Sequence, residues 1–361
     1  MEADSFKTPL PQVFSGILDQ FLRPTAPDPV AAGVIVGAGD ENLRAASFAP
    51  LINSDLRYRN YLFAQTFLSE RMSDWLEENA QSADRERIAL DRTLGLLGKA
   101  PVRNLMACAH VEKILGTLDL SEIIDPEKKV NPRPTELIPF ALASEKICQD
   151  RSWIFSEAAF SAGIHYDWLS AAIKKKGGTP EEKTSIANAF ADGALTAKMA
   201  YTLGERTREI KSGKYLFAAG LLLPIGKALM GCLFPKGAVP VWNEFVAESE
   251  KIPERKYDFY RYVEHRRFPV THAELGGLFV NFGLVLREVE KAIYFYQDPE
   301  PLRQTLPELY QLSVMLSLAN RMAGAKGGDF PLESFQLAWL KKNKITEDSL
   351  KSTAADALKG K

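Results

Sequence analysis

The chain is poor in the residues that most often bind metals or perform acid-base chemistry near neutral pH. Its 361 residues include four histidines and three cysteines. Cys108, Cys148 and Cys232 lie far apart, are odd in number and form no C-x-x-C pair. This argues against a disulfide framework or a zinc module, and points to a reducing, cytoplasmic setting. Net charge is also nearly absent: 45 basic residues stand against 46 acidic ones. Such a balance gives the whole chain no electrostatic pull toward nucleic acid or membrane. The sequence has no G-x-S-x-G elbow, H-E-x-x-H helix, G-x-x-x-x-G-K-[ST] loop or EF-hand spacing, so the common signatures of hydrolases, zincins, P-loops and calcium sites are missing. No uninterrupted apolar run spans a bilayer, since Pro224 and Lys227 break the longest candidate, 215–234. The opening Met1-Glu2-Ala3-Asp4 carries acids where a signal peptide would be basic.

What is present is helical punctuation and apolar content. Hydrophobic residues make up 46% of the chain, ample for a sizeable core. Thr179-Pro180-Glu181-Glu182 combines a cap, a proline suited to a first helical turn and acids, and predicts a helix running to Thr207. Gly98 closes one helix and Pro101 lies at the start of the next. Ser54 is expected to cap a helix reaching about Glu78. Strand-like alternation is lacking, so the fold class is all-α.

Residues 1–40 read as a partly ordered, proline-bearing leader with one short helix, Val13 to Leu22. Val34 to Asp40 begins like a dinucleotide fingerprint, but Asn42 stands where the third glycine belongs, which leaves a flexible turn. A helical domain is expected over 41–325, with an insert at about 117–180 containing the proline-rich loop Asp125 to Pro134. Phe160 to Ile164 echoes Phe217 to Leu221, as helix-packing segments do. Residues 326–361 should form a helix pinned by Trp339 and then a tail that is mobile beyond Thr346.

Five separated segments carry a family resemblance. Ala219-Gly220-Leu221-Leu222-Leu223-Pro224-Ile225-Gly226-Lys227 keeps the frame A-G-L-L-H-D-I-G-K, with Leu223 and Pro224 at the His-Asp pair. His272-Ala273-Glu274-Leu275-Gly276 resembles H-A-E-x-G, and Tyr296-Gln297-Asp298-Pro299-Glu300 resembles H-H-x-P-E. Leu318-Ala319-Asn320 resembles L-A-D, while Leu90 to Leu105 is similar to a segment of the pattern A-I-x-x-L-G-x-x-x-V-R-N-L. Together they resemble the HD superfamily of phosphohydrolases, and within it the HDOD domain, an HD-related and usually non-catalytic output module of bacteria. The resemblance spans roughly 45–323 and implies a multi-helix bundle of HD type.

In the family, the His-Asp pair and its companions hold a metal. Here those positions are Leu223, Pro224, Tyr296, Gln297 and Asn320, and His272 alone survives. A leucine methyl or a proline ring donates no electron pair to a cation. The expectation is therefore a non-catalytic domain with no cofactor, acting in signalling or regulation through protein partners. Gly220, Gly226 and Gly276 would be retained for packing and turns. Two alternatives stand beside it. One is a metal-dependent phosphohydrolase whose ligands are rearranged among His272, His165, Asp167 and His110; the other is a sensor holding a nucleotide or small ligand near His272, Tyr296, Gln297 and Asn320. His272 itself is expected at a partly exposed first helical turn, His110 in a core or boundary position, and His265 at a solvated helix end with Arg266 and Arg267. Leu223 and Tyr296 are expected to be buried close together, and partner contacts to concentrate in the leader, the 125–134 loop and the segment around Trp339.

Overall fold

The computed structural model describes residues 28–55, 58, 59, 62, 85–117, 180–207, 210–234, 264–268, 270–280, 287–325, 330 and 332–358. These residues form an all-α assembly, with no strand among them. The helices are α1 (Pro29–Gly37), α2 (Ala49–Asn53), α3 (Arg85–Leu97), α4 (Lys99–Thr117), α5 (Pro180–Arg206), α6 (Ile210–Leu222) and α7 (Ile225–Leu233). They continue with α8 (His272–Val280), α9 (Arg287–Phe295), α10 (Pro307–Ala325), α11 (Ser334–Asn343) and α12 (Glu347–Leu358). The Val13–Leu22 stretch, the 125–134 loop, the 160–164 echo, His165 and Asp167 lie outside the described residues.

The centre of the fold is α5, α6 and α10. Gly204 and Gly220 allow the α5–α6 approach: a Cβ at Gly204 would lie 2.6 Å from the Gly213 Cα, and one at Gly220 would lie 2.6 Å from the Ala197 Cα. Side chains would hold the two backbones apart, so small residues set the spacing here. Helix α10 runs through the interior and buries Leu312 to Ala319 without interruption. The apolar stretch Gly213–Gly231 has the length and hydropathy of a membrane span, but 83% of that window is buried inside the fold. It is divided by the turn at Leu223 and Pro224 and supplies core to the bundle.

Much of the local punctuation acts as the sequence implies. Helix α5 begins at Pro180 and ends at Arg206, and Gly98, at φ 77°, separates α3 from α4. That left-handed backbone suits glycine because it has no Cβ to clash. Trp339 is buried at 3% exposure.

Three segments differ from expectation. Residues 34–37 are the end of α1, a docked helix rather than a flexible turn. Asp28 caps it by accepting from the Val30 and Ala31 amides, Pro29 occupies its first position, and Val30, Ala31, Val34 and Ile35 are buried. Proline in that setting starts a helix because its fixed φ and missing N–H cost nothing in a first turn. Ser54 terminates α2, its hydroxyl donating to the Leu51 carbonyl at 2.6 Å, and Tyr58, Arg59 and Leu62 beyond it are helical, with the Arg59 amide donating to the Asp55 carbonyl at 3.2 Å. Beyond Thr346 the chain forms α12, where the Thr346 hydroxyl accepts from the Ser349 amide and Leu350 and Ala354 are buried. Helix α12 packs on α5 and α10, which holds a segment whose composition reads as a polar tail.

Candidate functional site: a buried Glu-His-Tyr chain

Helix α8 opens with its own capping box. The Thr271 amide donates to Glu274 Oε2 at 2.8 Å, and the Glu274 amide donates to Thr271 Oγ1 at 3.2 Å. This fixes His272 at the first helical position and points its ring inward. The approach of α7 to α8 is set at Gly226, where a Cβ would collide with the His272 carbonyl oxygen and meet Gly276 at 3.0 Å. Gly226 and Gly276 thus serve packing, as the sequence implies.

His272 is 2% exposed, which corrects the expectation of a partly exposed residue. Its Nδ1 lies 2.7 and 2.9 Å from the two carboxylate oxygens of Glu264, and its backbone amide donates to Glu264 Oε2 at 2.9 Å. Its Nε2 lies 2.7 Å from the Tyr296 hydroxyl. Glu264 is fully buried. Because a backbone N–H can only donate, Glu264 acts as an acceptor, and Nδ1–H completes its set. With Nδ1–H turned to Glu264, Nε2 offers its lone pair to the phenol hydrogen. The phenol hydrogen then points at Nε2. A continuous donor chain runs from Tyr296 through His272 to Glu264.

Burial pushes the Tyr296 phenol well above its ordinary range, and the negative charge of Glu264 pushes it further. Arg321 and Gln297 act in the opposite direction without restoring it. Tyr296 therefore stays protonated and remains a donor, unsuited to nucleophilic attack. Arg321 is itself buried at 3% exposure and pairs with Glu333.

The other expected site positions divide. Leu223 and Pro224 are buried in the turn between α6 and α7, and Leu223 and Tyr296 both belong to the core, at 4% and 5% exposure. Gln297 and Asn320 are half-buried. His110 is buried on α4 with its Nδ1 3.4 Å from the Tyr58 hydroxyl, in the core position anticipated for it. His265 has a 40% exposed side chain at 3.9 Å from Glu274, in keeping with a solvated helix end. Glu264 escaped the sequence reading because it stands among Arg261, His265, Arg266 and Arg267, where one acid looks like part of a charged surface turn.

These residues do not fit the metal of the HD superfamily. Both His272 nitrogens are engaged, both Glu264 oxygens are engaged, and Leu223 offers carbon. A cation would have to break the donor chain and would gain too few ligands in exchange. Among the described residues, no cluster of three His, Cys, Asp or Glu side chains could hold a metal ion. A depression of about 30 Å³ lies beside the chain, lined by residues including Thr271, Glu274, Tyr294, Gln297 and Asp298. The buried Gln297 Oε1 has no hydrogen-bond partner. That volume suits a water molecule.

Compared with models of protein families, with curated proteins and with solved structures, the chain gives no significant match.

Proposed function

We propose that this chain is a non-catalytic, HDOD-like regulatory domain of a bacterial cytoplasmic signalling system, and that it works through protein contacts. The observation that carries the reading is the Glu264–His272–Tyr296 chain. On the resemblance, His272 and Tyr296 stand at two of the metal-ligand positions, and here they hydrogen-bond to each other instead. With its hydrogen bonds satisfied internally, the region supports packing between α8, α9 and the end segment containing Glu264. Function then resides in surfaces the bundle presents to partners, among them the leader, the 125–134 loop and the segment around Trp339.

The alternatives draw less support. A rearranged phosphohydrolase would need His272 and His110 as ligands, yet each is buried with a tyrosine hydroxyl near one ring nitrogen. A nucleotide sensor would need far more room than the depression beside Gln297 provides.

The test is elemental analysis of protein purified without chelators, paired with assays on phosphodiester and nucleotide substrates. The proposal expects neither stoichiometric transition metal nor turnover. One or two bound Mn, Fe or Zn ions per chain, together with hydrolysis lost on His272→Ala, would overturn it.

A further inference from the structure

The backbone donors around the start of α8 are spent. The Thr271 amide goes to Glu274 Oε2, the His272 amide to Glu264, and the Glu274 amide to Thr271 Oγ1. In the turn that follows α9, the Asp298 amide goes to the Phe295 carbonyl. Between these two segments lies the depression of about 30 Å³, with Thr271, Glu274, Gln297 and Asp298 as its polar wall. What that wall still offers is acceptors. Gln297 Oε1 is buried and has no hydrogen-bond partner. Glu274 spends Oε2 in its capping box, and among the described residues its Oε1 has only His265, at 3.9 Å. Asp298 brings a second carboxylate to the same wall.

A buried oxygen left without a donor is costly, so Gln297 Oε1 marks a place where a donor belongs. The surroundings say which donor. The volume holds one water-sized group, which an ammonium matches and a planar guanidinium exceeds. Water can occupy it, but carboxylates beside the amide favour a donor that carries positive charge, because charge-assisted hydrogen bonds are the stronger kind. Helix α9 also ends here, at Phe295, and the negative pole of a helix favours a cation. The opposing pole of α8 is already answered by the Glu274 and Glu264 carboxylates. The chain's own Lys291, on α9, is held by Glu290 at 2.9 Å instead. Glu274, Tyr294 and Asp298 are half-buried, so the depression is reached from solvent, and Tyr294 and Pro301 give a methylene stem apolar surface to lie on.

We propose that this depression seats the side-chain ammonium of a lysine on the partner protein, with Gln297 Oε1, Glu274 and Asp298 as its acceptors. The inference rests on the reading of the chain as a protein-contact domain, and gives the partner's contact residue a chemistry.

Titration of the isotope-labelled full chain with Nα-acetyl-lysine methylamide, followed by nuclear magnetic resonance at about pH 7.5, where imidazole is ordinarily uncharged, tests this. The Gln297 side-chain amide and the Ala273 and Glu274 backbone signals should shift and saturate below about 100 mM, the range of one partly solvated ion pair. Gln297→Leu should abolish saturation, and Gln297→Glu should tighten binding by roughly threefold or more. Asp298→Asn should weaken it by roughly two- to fivefold. Tetramethylammonium chloride has the same charge but no N–H, and should produce no saturable shift. Absence of saturation in the unmodified protein would overturn the proposal. So would an equal response to tetramethylammonium or potassium chloride, or an affinity unchanged in both Gln297→Leu and Asp298→Asn. Saturation by methylammonium chloride but not by the lysine derivative would also overturn it, because the seat would then belong to a small free amine. None of these outcomes bears on the metal and turnover assays, which judge the non-catalytic reading separately.

Discussion

His272 Nδ1 sits 2.7 Å from Glu264 Oε1, and both side chains are sealed from solvent. Removing one partner strands the other. His272→Ala should destabilise the fold by about 3 kcal/mol, because it leaves the buried Glu264 carboxylate without its imidazole donor. Glu264→Gln should cost less, because the amide oxygen still accepts one N–H. Urea unfolding monitored by far-UV circular dichroism measures both, and a change below about 1 kcal/mol for His272→Ala would remove the pair from the core of the argument.

Tyr296 makes a pH prediction with a definite sign. Its phenol is held above the ordinary value of 10.0 in the folded chain, so the unfolded chain releases this proton first as pH rises. Stability conferred by the protonated phenol is complete below about pH 10 and declines above it. Tyr215 and Tyr310 are also raised by burial and share the trend. Tyr296→Phe should flatten the decline in unfolding free energy between about pH 9.5 and 11, while costing about 1–3 kcal/mol at pH 7 by leaving Nε2 without its donor. An unaltered alkaline slope would show that Tyr296 does not carry it.

At the α6–α7 turn, Leu223 is 4% exposed and belongs to the central core. Leu223→Ala should cost roughly 2–5 kcal/mol. Thermal melts and denaturant titrations of the same variant should agree on the loss.

Two glycine substitutions should give opposite results. Gly226→Ala drives a methyl group into the His272 carbonyl and should destabilise by at least about 1–3 kcal/mol. Gly95 lies exposed within α3 with nothing within 4 Å of its added Cβ, so Gly95→Ala should stabilise by roughly 0.5–1 kcal/mol. Similar effects at the two sites would contradict the α7–α8 contact.

Truncation after Asn343 should lower the melting temperature clearly. Leu350 and Ala354 are fully buried on α12, and the Arg206 guanidinium donates to the Ser349 carbonyl at 3.2 Å. The sequence reading expects loss of 345–361 to be tolerated, so an unchanged melt would restore that view of the tail as mobile.

Local signals carried the helical reading well because they act over a few residues. Pro180 opens α5, Gly98 takes the left-handed position, and Gly220, Gly226 and Gly276 mark close backbone approaches. The same signals misled where they admit two outcomes. Pro29 suggested a leader and proved to be a first helical residue, and Ser54 suggested an N-cap and proved to be a C-terminal one. The polar composition of 347–358 concealed a helix whose buried residues, among those whose burial is described, are Leu350, Thr353 and Ala354 on one side.

The sequence by itself determined the all-α class, the place of His272 in a first helical turn, and the lack of ligating side chains at Leu223 and Pro224. These follow from residue type and short-range geometry. Only the tertiary structure decided that Glu264 meets His272, that Tyr296 closes the other side of the ring, and that Glu333 lies on Arg321. Each of these contacts joins segments separated by a break in the helical chain. No local pattern states which inward-facing polar groups will meet. The packing of α7 against α8 and of α11 against α10 selects those partners, because a buried charge or donor must find its complement where the helices bring it.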